Sequence, residues 1–268
     1  MLKPLALRYI WNRPLLYQVI QKLRSRGDVL DPNYDILFDG FPRSGNTFGS
    51  LMILESQQNR LKVITHRHTP PPFLRAAEMD KPACLTLRRP FDAIISWVIY
   101  TKRSIRSVIQ YYIDFHQILL PHRSKFLILP FFVITEDFPL VIQLINARFR
   151  MNLNHQFDLE ACKLKVFERI DDRWKSDRGI VNEFRVARPY PARDKCKAAI
   201  REELLHPRYS TLLHRCEALY QIYETTFFTD LNQCSDMSSH KDKVERYLKK
   251  LNQPDIPDDF SQTEYTPA

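Results

Sequence analysis

Apolar positions along this 268-residue chain change their spacing near residue 35. Before that point Leu2, Leu5, Tyr9, Leu15, Leu16, Val19, Ile20 and Leu23 recur at broadly helical intervals, which predicts a helical segment over 1–30. From Asp35 onward short apolar runs alternate with longer 3.6-period patterns. The runs predict strands at 35–39 (DILFD), 61–66 (LKVITH), 84–88 (CLTLR) and 126–135; the longer patterns predict helices at 46–58, 73–79, 90–103, 107–119 and 138–148. Strands separated by helices require right-handed crossovers, so the expected class is α/β: a mainly parallel central sheet flanked by helices, with ligands at the carboxyl ends of its strands. Beyond residue 152 only helical patterning remains, at 159–174, 193–205 and 208–225, giving a helical C-terminal half. Residues 231–268 are polar, with one amphipathic stretch (Val244, Tyr247, Leu248, Leu251) before an ending rich in proline and acid that reads as a loosely ordered tail. The expected organisation is a basic N-terminal segment over 1–30, an α/β domain over 31–230 and a C-terminal helix and tail over 231–268.

Composition narrows the chemistry. With 44% hydrophobic and 26% charged residues the chain is globular in make-up, which excludes a disordered or collagen-like polymer. Its 40 Lys+Arg against 31 Asp+Glu leave a formal charge of +9, favouring anionic partners. Residues 1–30 concentrate that charge: Lys3, Arg8, Arg13, Lys22, Arg24 and Arg26 face Asp28 alone. Such a helix either packs on the core with a solvated basic face or makes weak contact with an anionic membrane surface. The basic residues elsewhere are dispersed and no nucleic-acid module is visible, so nucleic acid is not an expected partner. The five cysteines (Cys84, Cys162, Cys196, Cys216, Cys234) form no C-x-x-C pair and suit a reducing compartment. Basic residues are scattered through the first 26 positions instead of preceding an apolar stretch, and the longest apolar run is interrupted by Pro130. The expectation is a cytoplasmic protein.

Glycine is scarce, 5 in 268, yet Gly40, Gly45 and Gly49 fall within ten residues. In DILFDGFPRSGNTF, Gly40 and Gly45 stand five apart and are followed by Asn46 and Thr47, the spacing of the phosphate-binding G-x-x-x-x-G-K-[ST] loop with Asn in place of lysine. A strand, a glycine-bearing loop and a helix opening near Asn46 aim free backbone N–H groups at an anion, and Arg43 supplies a cation inside the loop. ATPase or kinase chemistry would need the lysine and a metal held by a second acid. No predicted strand ends in a suitable acid, so no metal is expected.

The segment PRSGNTF at 42–48 resembles the 5′-phosphosulfate loop of sulfotransferases that use 3′-phosphoadenosine 5′-phosphosulfate. A second element of that family, an Arg at a strand end with a Ser eight residues later on the next helix, is matched by Arg88 and Ser96 in LTLRRPFDAIISW. The resemblance covers about residues 35–100 and is mainly topological beyond. It implies the fold topology of P-loop-containing nucleotide-binding proteins, with Arg43, Ser44, Gly45, Asn46, Thr47 and Phe48 on the 5′-phosphosulfate end. Phe48 stands where many relatives carry Trp, and Arg88 and Ser96 would bind the 3′-phosphate. The R-K-G element that grips the same phosphate in cytosolic members is absent, and VARPYPARDK offers Arg188 and Arg193 as substitutes. The product would be adenosine 3′,5′-bisphosphate. The family's C-terminal dimerisation motif is not visible, leaving the oligomeric state open.

Transfer of a sulfuryl group needs a base for the acceptor proton and a stabiliser for the departing phosphate oxygen. The family carries a catalytic His at the end of the following strand, often as T-H-x-P. In LKVITHRHTPPP, Thr65–His66 meets one half of that pattern and His68–Pro70 the other, so either His66 or His68 is a candidate base. On an extended segment the two share a face. The implied reaction is in-line transfer to a hydroxyl or amine with Arg43 stabilising the leaving group. A kinase-like phosphotransferase and a non-catalytic nucleotide-binding module are the alternatives, and the acceptor is open.

Overall fold

The computed structural model describes residues 4–23, 33–178 and 193–233. Four strands, β1 (Ile36–Gly40), β2 (Val63–Ile64), β3 (Ala83–Leu87) and β4 (Leu127–Pro130), form one all-parallel sheet in the order β2-β1-β3-β4. The register pairs Ile36 with Val63, Gly40 with Thr86 and Cys84 with Leu127. Strands β1, β3 and β4 are wholly buried. That is why they read as mainly apolar runs and not as alternating ones. Helix α3 (Asn46–Ser56) carries the chain from β1 to β2, and α4 (Pro70–Glu78) from β2 to β3; α5 (Pro90–Thr101) and α6 (Ile105–Leu119) connect β3 to β4. The chain leaves β1 toward the β2 edge and then returns past it to build outward through β3 and β4. The carboxyl ends of β1 and β3 therefore flank the point where the winding direction changes, the crevice in which such sheets bind ligands.

Helices α7 (Phe131–Glu136), α8 (Phe138–Phe149), α9 (Leu159–Arg178), α10 (Asp194–Leu204) and α11 (Ser210–Gln233) complete the described chain, so the expected α/β class with a helical second half is present. Packing is aromatic at its centre. Phe41 touches the rings of Tyr111, Tyr112, Phe115 and His116 on α6, and Phe73 of α4 meets Phe115 and Phe126 edge-on. Helix α11 lies along α6 and β4.

Four local expectations are corrected. The segment 126–135 is strand only to Pro130; proline cannot donate to a ladder, and its φ of −60° leads into α7, which buries Val133 and Ile134. The segment 61–66 is strand only at Val63–Ile64, an edge position where His66 has already turned to a φ of 59°. The N-terminal segment is two helices, α1 (Pro4–Trp11) and α2 (Pro14–Leu23), because Pro14 has no N–H to continue the first and opens the second. Helix α11 runs past residue 225 and past the expected boundary at 230, since its buried stripe continues through Phe227 and Leu231. The expected helix at 244–251, the tail and Arg188 lie outside the described residues.

Candidate functional site

The turn after β1 is built by close approach. A Cβ on Gly40 would run into both the side chain and the carbonyl of Thr86 on β3, so only glycine lets the two strands end side by side there. At the other end of the loop Gly45 caps α3 with a φ of 91°, left-handed backbone that glycine adopts without cost. Arg43, between them, also has positive φ (68°). Alternating handedness of this kind turns successive N–H groups inward, toward the α3 N-terminus, where the first-turn N–H groups have no helical partner. Ser44 is fully buried with its Oγ lacking a hydrogen-bond partner among the described residues.

Asn46, in the place of the nucleotide-triphosphatase lysine, ties the loop together. Its Nδ2 donates to Phe41 O at 2.9 Å, and its Oδ1 accepts from the Thr86 hydroxyl. The amide is consumed within the protein, whereas a lysine ammonium there would extend to a terminal phosphate. Phe48 is buried, its ring 5.7 Å from that of Phe167 on α9.

Three arginines converge beside the loop. Arg43 Nε donates to Ser96 Oγ (3.1 Å) on α5, and Arg88, just past β3, donates from Nη1 to Arg43 O at 2.8 Å. The Arg88 guanidinium lies 4.3 Å from the centre of the Phe131 ring, and its Nη2 is 3.9 Å from Asp92. Tyr112 braces this end of β3 by donating to Arg88 O. Arg193, at the start of α10, is 8% exposed and near enough to repel both. Burial, then repulsion from Arg193 and Arg88, lowers the Arg43 pKa to about 10; burial and Arg193 lower that of Arg88 despite Asp92. Arg43 remains cationic at neutral pH. Arg88 Nε is buried without a hydrogen-bond partner among the described residues, the second such donor here after Ser44. Gathered same-sign charge and buried donors without acceptors both suit a multivalent anion.

The two histidines occupy different chemical settings although their rings are 5.8 Å apart. Both sit in left-handed backbone (φ 59° and 52°), so the extended geometry expected for them is not what brings them together. His68 belongs to a buried ion pair. Asp39, the penultimate residue of β1, is completely buried and its Oδ2 accepts from the backbone N–H groups of Arg67 (2.6 Å) and His68 (2.8 Å). The His68 Nδ1 stands 3.0 Å from Asp39 Oδ1 and 3.0 Å from Gly40 O; the alignment makes the carbonyl its hydrogen-bond acceptor and the carboxylate its counter-charge. Burial opposes charge on both, but their mutual attraction and these hydrogen bonds prevail: the His68 pKa is raised and that of Asp39 lowered. Tyr111 adds a hydroxyl donated to His68 O.

His66 is neutral. Crowding around its ring, with repulsion from His68, Arg173 and Arg67, lowers its pKa to about 4 against the pull of Asp39. Its Nε2 is 2.8 Å from Thr47 Oγ1 on the first turn of α3, and the residue is exposed to solvent at the mouth of the loop.

Of the residues singled out from sequence, Arg43, Ser44, Gly45, Asn46, Thr47, Arg88, Ser96, His66 and His68 are thus brought together, with Arg193 joining them through α10. Phe48 points to the α9 side. Asp39 and Thr86 were missed. For Asp39 a signal existed, an acid inside an otherwise apolar strand; for Thr86 none did. Among the described residues no group of three or more His, Cys, Asp or Glu is arranged to hold a metal ion, and no helix is long and apolar enough to cross a membrane. An open groove lined by Gln57, Arg60, Leu61 and Asn154 lies at the far end of α3, away from this chemistry. Compared with family models, with curated proteins and with solved structures, the chain matches none.

Proposed function

We propose that this chain is a sulfotransferase that moves a sulfuryl group from 3′-phosphoadenosine 5′-phosphosulfate to a hydroxyl or amine acceptor. The observation that carries the reading is the convergence of Arg43, Arg88 and Arg193 with the N-terminus of α3 at the carboxyl ends of β1 and β3, beside a neutral histidine. The donor supplies the activated sulfuryl group and an adenosine 3′,5′-bisphosphate leaving group. Loop N–H groups, Ser44 and Arg43 are suited to its 5′ end; Arg88 with Ser96, assisted by Arg193, is suited to the 3′-phosphate. These pairings favour a bisphosphorylated nucleotide over ATP with magnesium, because Asn46 holds Phe41 O and Thr86 where lysine would be required.

His66 is the base in this reading. As the acceptor oxygen or nitrogen bonds to sulfur and the sulfur–oxygen bond to the 5′-phosphate breaks, the acceptor proton passes to the uncharged His66 ring, and negative charge on the departing oxygen meets Arg43 and the α3 N-terminus. His68 is less suited to accept a proton, its Nδ1 being engaged with Gly40 O and the Asp39 carboxylate; it braces the loop. The free thiols of Cys84, Cys162, Cys196 and Cys216 favour a reducing, cytoplasmic setting.

Calorimetry of adenosine 3′,5′-bisphosphate against ATP with magnesium tests the donor without knowledge of the acceptor. The expected result is preferential binding of the bisphosphate and at least about tenfold weaker binding by Arg88→Ala, with adenosine 5′-monophosphate insensitive to that change. Preference for ATP with magnesium would move the reading to a kinase-like phosphotransferase. Tight bisphosphate binding without transfer to any acceptor would leave a nucleotide-binding module.

A further inference from the structure

Helix α2 is apolar on two opposite sides. One side carries Tyr17, which is buried, and its hydroxyl is 3.0 Å from Thr69 Oγ1 at the start of α4. The other carries Leu15 (65% exposed), Val19 (53%), Leu23 (80%) and Leu16 (37%), a continuous stripe at i, i+4 and i+8 that faces away from the protein. On α1, Tyr9 is 55% exposed while Trp11 is buried, its ring 5.6 Å from Tyr111. The inner side is firmly seated: Arg8 pairs with the nearly buried Asp114. Apolar side chains exposed in a row are costly in water unless something covers them.

Charge identifies what covers them. Neither α1 nor α2 contains an acid, and residues 1–30 hold six basic side chains against one acidic. Arg13, exposed in the turn between the helices, lies over the Tyr9 ring at 3.7 Å, placing an aromatic and a cation together at the edge of the stripe. Leucines and valine on one side, tyrosine and arginine beside them and no acid on either helix match the composition of a helix that lies in a bilayer interface. A second copy of this face would bring like charges together, whereas anionic headgroups would neutralise them.

We propose that α1 and α2 form a monotopic membrane seat, with Leu15, Leu16, Val19 and Leu23 entering the acyl boundary of an anionic leaflet and Arg13 meeting lipid phosphates. The seat stands independently of the nucleotide reading. It also has a bearing on it, since Tyr17 contacts Thr69, the residue after His68.

The test is co-sedimentation of the full chain with phosphatidylcholine vesicles and with vesicles holding about 30 mol% phosphatidylserine. The expected result is roughly tenfold or greater preference for the anionic vesicles, weakened by high salt, and loss of most binding in the variant Leu15→Glu with Val19→Glu. Both positions are exposed, so thermal unfolding and adenosine bisphosphate affinity should match wild type. Absence of pelleting with anionic vesicles overturns the proposal, as does equal pelleting of wild type and variant. A lipid-free dimer that the same variant dissociates would also overturn it by assigning the face to a second copy.

Discussion

Two of the described histidines, His116 and His68, are drawn largely out of water, and their surroundings treat charge oppositely. In the seam between α6 and α11, His116 is fully enclosed: the Tyr112, Phe115, Tyr223 and Phe41 rings surround it at 4.1, 5.1, 5.5 and 6.1 Å, and Nδ1 meets Tyr112 O at 2.9 Å. Burial drives its pKa to about 4. At the carboxyl end of the sheet, His68 suffers a similar loss of water yet has a raised pKa, because the wholly buried Asp39 faces it. Desolvation alone selects the neutral form; a carboxylate set by two backbone N–H groups reverses the choice. The seam supplies rigidity, and the sheet end is where the fold concentrates charge.

The largest expected effect lies in the seam. Phe115→Ala empties a site that touches Phe41, Phe73 and His116, and should lower unfolding free energy in urea by about 3–5 kcal/mol. If the proposed nucleotide site is present, its affinity measured well below the transition should fall far less than stability, although Phe41 belongs to the loop, and a parallel loss of affinity would mean the two regions are not separable in this way. Acid should expose the same seam next. The unfolded chain takes up a proton at His116 near pH 6.5 and the folded chain only near 4, so stability falls as pH drops across that interval, on the order of 3 kcal/mol in total. In His116→Phe this component should vanish from the pH dependence of the denaturation midpoint, and its persistence would sink the assignment.

Asp39→Asn should cost less, about 2 kcal/mol, because the amide oxygen still accepts from backbone while the counter-charge is lost. The sign of its pH dependence is distinctive. Asp39 contributes above its depressed pKa, and His68 contributes below its ordinary value and loses that contribution as pH rises through its raised one. The stability gap between wild type and Asp39→Asn should therefore be widest at mildly acidic to neutral pH and shrink on both sides. The His68 ring resonance should titrate lower in the variant; a titration that does not move would show that the carboxylate is not what sustains the charge.

Much of the framework was legible because its strands are buried on both faces. Residues 36–40 and 83–87 have no solvent side and so appear as apolar runs without alternation, interrupted only by Asp39 and Thr86. The glycine pair was legible because the chain uses glycine so rarely. What escaped depended on contacts across long sequence separations: Asp39 meets residues 28 and 29 positions away, and Thr86 reaches Asn46 forty positions back. The left-handed backbone at His66 and His68, beside the N–H groups from which that carboxylate accepts, has no local signature. Pro130 was a visible stop inside an apolar run, but the phenylalanines after it outweighed it in the pattern.

Asn46 has a consequence for speed. With its amide joined to Phe41 O and Thr86, and with Arg88 holding Arg43 O, the loop after β1 has its shape fixed by its own side chains. On the proposed reading, an incoming anion would have little chain left to freeze, so its capture would be a matter of collision and not of closure. Its rate of arrival would then follow the positive field of Arg43, Arg88 and Arg193, rising as ionic strength falls.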